Sequence, residues 1–158
     1  MKKVLFLILI FALSLGSLAN TSQIILNVRS ATTQVEQAES LFNSANIKEA
    51  TVLVESLFPV LTETTELHSQ IYEALKENSA AISTAKKERE LTIEFAKLRD
   101  RITYLAGMIS RKQGNNLEAV KHFVQVIQSQ RGTELSRKAY NNLKEMGFSP
   151  QLSIEEQI

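Results

Sequence analysis

The sequence predicts an all-helical fold, an array of antiparallel helix pairs, and three observations lead there. Gly and Pro are scarce, 5 and 2 in 158 residues, too few for the many turns of a β-sandwich, whereas strong helix formers abound. Apolar residues recur at helical spacing along most of the chain. A helix–stop–helix signature also occurs twice, in "GMISRKQGNNLEAVKHF" and in "SANIKEATVLVESL".

The first residues stand apart from this pattern. "MKKVLFLILIFALSLGSLAN" opens with two lysines, continues as an apolar run from Val4 to Leu15, and reaches Ser17-Leu18-Ala19. Small residues at the last and third-last positions predict a signal peptide over residues 1–19, cleaved after Ala19. The apolar run is shorter than the roughly 20 residues of a stable spanning helix. An uncleaved anchor is the alternative. Residues 20–30 read as a flexible lead-in, 31–147 as the helical domain and 148–158 as a C-terminal tail.

Within the signature, Gly114 occupies a helix C-terminus, where a residue tolerant of positive φ is needed. Asn115 is placed to cap the next helix, with Glu118 three residues on to complete a capping box. Leu117, Val120, Phe123, Val124 and Ile127 then follow at helical spacing. Asn115, Glu118 and Ala119 lie 69 positions after Asn46, Glu49 and Ala50. Two periods of about 34 residues fit that distance, and such periods belong to paired-helix solenoids.

In these residues the chain resembles a tetratricopeptide repeat (TPR) protein. Units of that family, about 34 residues long, carry small residues at two helix-contact positions, Gly or a similar residue at the turn, and a large apolar residue in the second helix. A unit begun at Asp100 presents Gly107, Ala119, Gly114 and Phe123 there. One begun at Ala31 presents Ala38, Ala50, Ala45 and Val54. The stretch from Thr65 to Arg99 departs from the pattern, with Tyr72 at a small position and Ser79 at the turn, and the usual Pro near the end of a unit is missing. The resemblance implies a TPR-like α-solenoid of about three helix pairs plus a C-terminal capping helix. Close helix approach supplies the physical reason for the small residues, with Gly107 expected to face Ala119.

Further on, Gly132 can end one helix and Thr133 can cap another. Gly147, Phe148 and Pro150 then form an orderly stop. The last helix has one apolar stripe and one solvated face, which suits a cap on a stack. Between Ser79 and Gln113 the sequence allows two arrangements. Leu91, Phe95, Leu98, Ile102, Leu105 and Ile109 form a heptad seam, so one long helix could pair with itself in a homodimer. Two successive helices joined near Asp100 is the preferred arrangement, because the seam is short for a coiled coil.

No reaction is legible. Cys is absent, which removes thiolate nucleophiles and Cys-based metal sites, and His68 and His122 have no partner at a ligand spacing. Neither a nucleophile elbow nor a phosphate-binding or dinucleotide loop is present. The expectation is therefore a non-enzyme without cofactor or metal. A formal charge of +1 argues against nucleic acid, whose binding needs a dominant basic surface.

Binding is the remaining class. The TPR resemblance implies ligand contacts at Arg101, Tyr104, Met108, Arg111 and Lys112, a face that could receive an acidic protein or peptide. The sequence thus predicts an exported, non-catalytic interaction module of the bacterial envelope. A structural homo-oligomer formed through the Leu91–Ile109 seam is the second reading.

Overall fold

The computed structural model describes residues 27–148; 86% of these are helical and none is in a strand. Among them are five α-helices: α1 (Val28–Asn43), α2 (Ile47–Leu75), α3 (Ile82–Lys112), α4 (Asn116–Ser129) and α5 (Glu134–Glu145). A single 3₁₀ turn, Ser79–Ala81, joins α2 to α3. The leader expected over 1–19 and the tail from residue 149 lie outside the described residues. Val28–Ser30, expected in the lead-in, are instead the first turn of α1. The reason is Asn27, whose Oδ1 accepts the Ser30 N–H at 2.8 Å and so caps the helix.

The two signatures make the same turn, bond for bond. The N–H of Ala45 donates to Phe42 O at 3.0 Å and that of Asn46 to Leu41 O at 2.9 Å; Gly114 and Asn115 donate to Arg111 O and Ser110 O at 3.0 and 2.9 Å. This is a Schellman arrangement, and its left-handed residue is Ala45 at φ 63° in the first copy and Gly114 at φ 79° in the second. It also corrects the expected capping boxes. The N–H that Glu49 or Glu118 would take is already donated to the preceding helix, so neither Glu has that role. Asn115 Oδ1 accepts from Glu118 N at a long 3.4 Å, and Asn46 makes no side-chain cap at all.

Ala45 is held where a Cβ costs about 1–2 kcal/mol. Ala45→Gly is therefore expected to stabilise the chain by about 1 kcal/mol, read as a higher denaturant midpoint at unchanged slope. A lower midpoint would mean the turn is not strained.

Within the stretch 79–113, Ile82–Lys112 form one continuous helix rather than the two the sequence favours. Asp100, the expected junction, sits in the middle of α3 and is 1% exposed. Its carboxylate needs no break in the helix because it is satisfied from the side. Oδ1 accepts from Arg99 Nε and Nη2 at 3.1 and 3.0 Å, and Oδ2 accepts from Ser129 Oγ at 2.6 Å. Hydrogen bonds to a buried carboxylate offset its desolvation, whereas an orphan would cost several kcal/mol. Here it ties the end of α4 to α3. Pro59 likewise fails to break α2, since it lies on the exposed side of that helix, where water can take the carbonyl a proline leaves unbonded.

α2 and α3 form a long hairpin. Around its lower half α1 closes one core, made of Ala31, Val35 and Ala38 with α2 and α3 residues that include Leu61, Phe95 and Ile102. The other side of α3 meets α4 and α5, where Ala119, Phe123, Val126, Ala139 and Leu143 pack with Tyr104 and Met108. The upper half has no such core: between Glu66 and Glu90 the one buried residue is Ala85. There the His68 ring stacks on Phe95 at 5.3 Å, with its Nδ1 2.6 Å from Glu88 Oε2. The chain thus has an arm where the sequence reading placed a middle helix pair.

The heptad seam points inward. Phe95, Leu98, Ile102, Leu105 and Ile109 are buried by the chain's own helices, and Leu91 is half-buried against them. A coiled-coil partner has nothing left to cover, so the seam does not supply the expected dimer surface.

Candidate functional site: a groove across three helices

A groove of about 750 Å³ runs over α1, the lower half of α3, and α5. Glu39, Phe42 and Asn43 form its α1 side, and Leu135 and Lys138 its α5 side. Arg101, Tyr104, Leu105 and Met108 make the floor. Phe42, Leu105, Met108 and Leu135 provide apolar lining, and Met is the side chain best able to adapt to varied ligand shapes.

Three of the five expected contact residues, Arg101, Tyr104 and Met108, therefore line one cavity, and two do not. Arg111 turns the other way: its Nη1 donates to Asn142 Oδ1 at 2.6 Å and to Glu145 Oε2 at 2.8 Å, fastening α5 to α3. Lys112 is outside the groove wall, with its Nζ 5.4 Å from the Phe42 ring centroid, a cation–π distance. Asn142, buried beside them, donates to Tyr104 Oη at 3.1 Å and holds the phenol in place. These bonds set the spacing of α3 and α5.

The expected free cationic face is also altered. Arg101 makes a two-pronged pair with Glu39, from Nε at 3.0 Å and Nη2 at 2.7 Å. Its hydrogen bonds to the Glu39 carboxylate raise the guanidinium above its already high value, with burial acting the other way. A fork so engaged is not available to a ligand without breaking a partly buried pair. It links α1 to α3 instead. Lys138 on the rim meets Glu134 at 2.8 Å, an exposed pair one helical turn apart that is worth little and is easily exchanged.

The residues expected to mark helix packing behave as their sizes require. Ala38, Ala50, Ala119 and Phe123 are fully buried, while Gly114 is exposed and carries the turn. Gly107 does approach α4 closely, but the group it makes room for is Phe123 rather than Ala119. A Cβ on Gly107 would lie 2.7 Å from the Phe123 ring. On the opposite side of the molecule, His122 edges a smaller cavity of about 420 Å³ between α2 and α4. Burial lowers its imidazole below the usual histidine range, and Glu118 opposes that shift.

Glu39, Phe42, Asn43, Leu135 and Lys138 were not singled out from sequence, yet a signal for them exists. Glu39, Phe42 and Asn43 stand 69 positions before Met108, Arg111 and Lys112; Leu135 and Lys138 stand 34 after Arg101 and Tyr104. One register applied to all three helices reaches these five residues.

Residues 20–148 match the family described as "Uncharacterized protein conserved in bacteria (DUF2225)". The chain belongs to this family. No curated protein and no solved structure matches it. The DUF2225 match spans all five helices, the groove and the arm, so these features lie within one family unit. No described helix is long and apolar enough to cross a membrane.

Proposed function

We propose that this DUF2225 chain is an exported, non-catalytic protein-interaction module of the bacterial envelope, which holds a peptide or helix of a partner protein in the groove over α1, α3 and α5. In this reading the lower part of the molecule is two TPR-like units. α1 with lower α2 is the first, lower α3 with α4 the second, α5 begins a third as the cap, and the arm is an insertion between the first two. One observation carries it: Glu39 and Met108, 69 positions apart, and the pairs Arg101–Leu135 and Tyr104–Lys138, each 34 apart, line a single groove, as the ligand-facing positions of stacked repeats do. The duplicated turn at Ala45 and Gly114 supports the same period, and Gly147 and Phe148 repeat its bonds 33 positions later. Export rests on the leader-like composition of residues 1–19 and on the family match beginning at residue 20.

The groove is tested by placing a photo-crosslinking amino acid at Met108 and irradiating cells. A discrete adduct is expected, absent when the probe is moved to exposed Gln125 on α4. Identical adducts from both positions, or none from Met108, would reject the groove. Fractionation with N-terminal sequencing tests export separately: a mature chain starting at Asn20 is expected, and Ala19→Arg should leave the leader attached. A full-length chain in the cytoplasm would remove the envelope from the reading and leave the groove standing.

A further inference from the structure

Tyr104 stands on the floor of the groove, and its hydroxyl carries one proton beside its accepting lone pairs. Residues behind the groove decide what that proton can meet. Asn142 of α5 accepts from Arg111 Nη1 through Oδ1 at 2.6 Å. Its Nδ2 donates to Tyr104 Oη at 3.1 Å and to Lys138 O at 3.0 Å. The two ends of an asparagine amide have nearly the same shape, so bonding partners decide which end is which. Here Arg111 decides, because a guanidinium has donors only. An amide turned end for end would set donor against donor at that short distance. The oxygen therefore faces Arg111, and both Nδ2 hydrogens are committed, one to Tyr104 and one to Lys138.

Tyr104 Oη is thus confined to accepting from Asn142, and among the described residues nothing accepts the phenol proton. The ring is held as well, 5.7 Å from that of Phe123. Tyr104 and Lys138, the two groups that share Asn142 Nδ2, both line the groove. The unspent O–H is therefore offered on the groove side.

We infer that Tyr104 is the hydrogen-bond donor of the groove to a main-chain carbonyl oxygen of an extended partner segment, and that Asn142 is the positioning residue that aims it. This rests on the groove reading above. Charge favours a neutral acceptor. Each cation lining the groove already has a carboxylate at 3.0 Å or less: Arg101 has Glu39, Lys97 has Glu94 and Lys138 has Glu134. An entering carboxylate would have to displace one of them. An extended segment offers free carbonyls along its length, whereas a helix has spent all but its last four. Apolar side chains of the segment meet Phe42, Leu105, Met108 and Leu135.

Asn142→Asp separates aiming from packing. The aspartate keeps the shape of the asparagine and holds Arg111 at least as firmly. Its second oxygen, however, faces Tyr104 and draws the phenol proton away from the groove. The chain is titrated with N-acetylleucine N-methylamide, a neutral probe with one apolar side chain and two amide carbonyls, and followed by NMR. Saturable shifts at Tyr104, Met108 and Leu135 are expected. Tyr104→Phe and Asn142→Asp should each weaken binding about three- to tenfold, with helical circular dichroism intact. Together they should weaken it no more than either alone, because both remove the same donor. Unchanged binding in either variant, additive losses, or no saturable shift in the groove would each overturn the inference. So would tighter binding of N-acetylleucine, which has a carboxylate in place of the second amide. A Met108 photo-adduct whose yield ignores Tyr104→Phe would overturn it and leave the groove reading standing. The expected probe pattern without any Met108 adduct would uphold the donor and reject the partner.

Discussion

Ile102→Asp is expected to unfold the chain rather than separate two copies of it. Ile102 is 0% exposed, in the core that α1 and α2 close over α3. Removing its methyl groups costs about 2–5 kcal/mol. Leaving a carboxylate there without a partner adds several more. A domain of this size is stable by only about 5–15 kcal/mol, so most of its helical circular-dichroism signal should be lost at 25 °C. Ile93→Asp, at an exposed position of the same helix, should keep that signal. Sedimentation decides the alternative: a folded Ile102→Asp monomer replacing a folded dimer would restore the seam as a subunit interface.

The second large effect concerns Gly107 and Phe123. Phe123 is fully buried between α3 and α5, with its ring 5.7 Å from that of Tyr104. Phe123→Ala should cost about 3–5 kcal/mol in denaturant unfolding. Gly107 explains why the site is built this way. A glycine within a helix costs about 0.8–1.0 kcal/mol relative to alanine, so Gly107→Ala would ordinarily stabilise α3. Here the added methyl meets a ring 2.7 Å away that has little room to turn. Overpacking costs about 1–3 kcal/mol, and the net effect should be a loss. In the Phe123→Ala background the obstruction is gone, and Gly107→Ala should become stabilising by roughly the propensity difference. If the sign does not reverse, the Gly107–Phe123 contact does not set the spacing of α3 and α4.

These two experiments bear on parts of the molecule that differ in how far sequence reveals them. The glycine turn at Gly114, the stop at Gly147 and the Thr133 cap of α5, whose Oγ1 accepts the Ser136 N–H at 3.2 Å, rest on short-range chemistry. A neighbouring residue or two decides them, and they were legible. Ala45 was legible only through its partner copy, because alone it carries no mark of positive φ. Tyr104, Met108 and Arg101 were found by register. Phe42 and Leu135 stand at the matching register positions of α1 and α5, 69 before Arg111 and 34 after Arg101.

The sequence by itself therefore determined the helical class, most helix ends and the turn that occurs twice, because backbone conformation and capping depend on residues a few positions apart. Only the tertiary structure decided that α3 is continuous through Asp100, that Arg101 and Arg111 spend their donors on Glu39 and Glu145, and that the seam is filled from within. Each of those outcomes depends on a partner that arrives from far along the chain. Ser129 reaches Asp100 across 29 positions and Glu39 reaches Arg101 across 62. Whether a buried carboxylate is satisfied, or a cation is free, depends on which helix packs beside it, and local spacing holds no record of that.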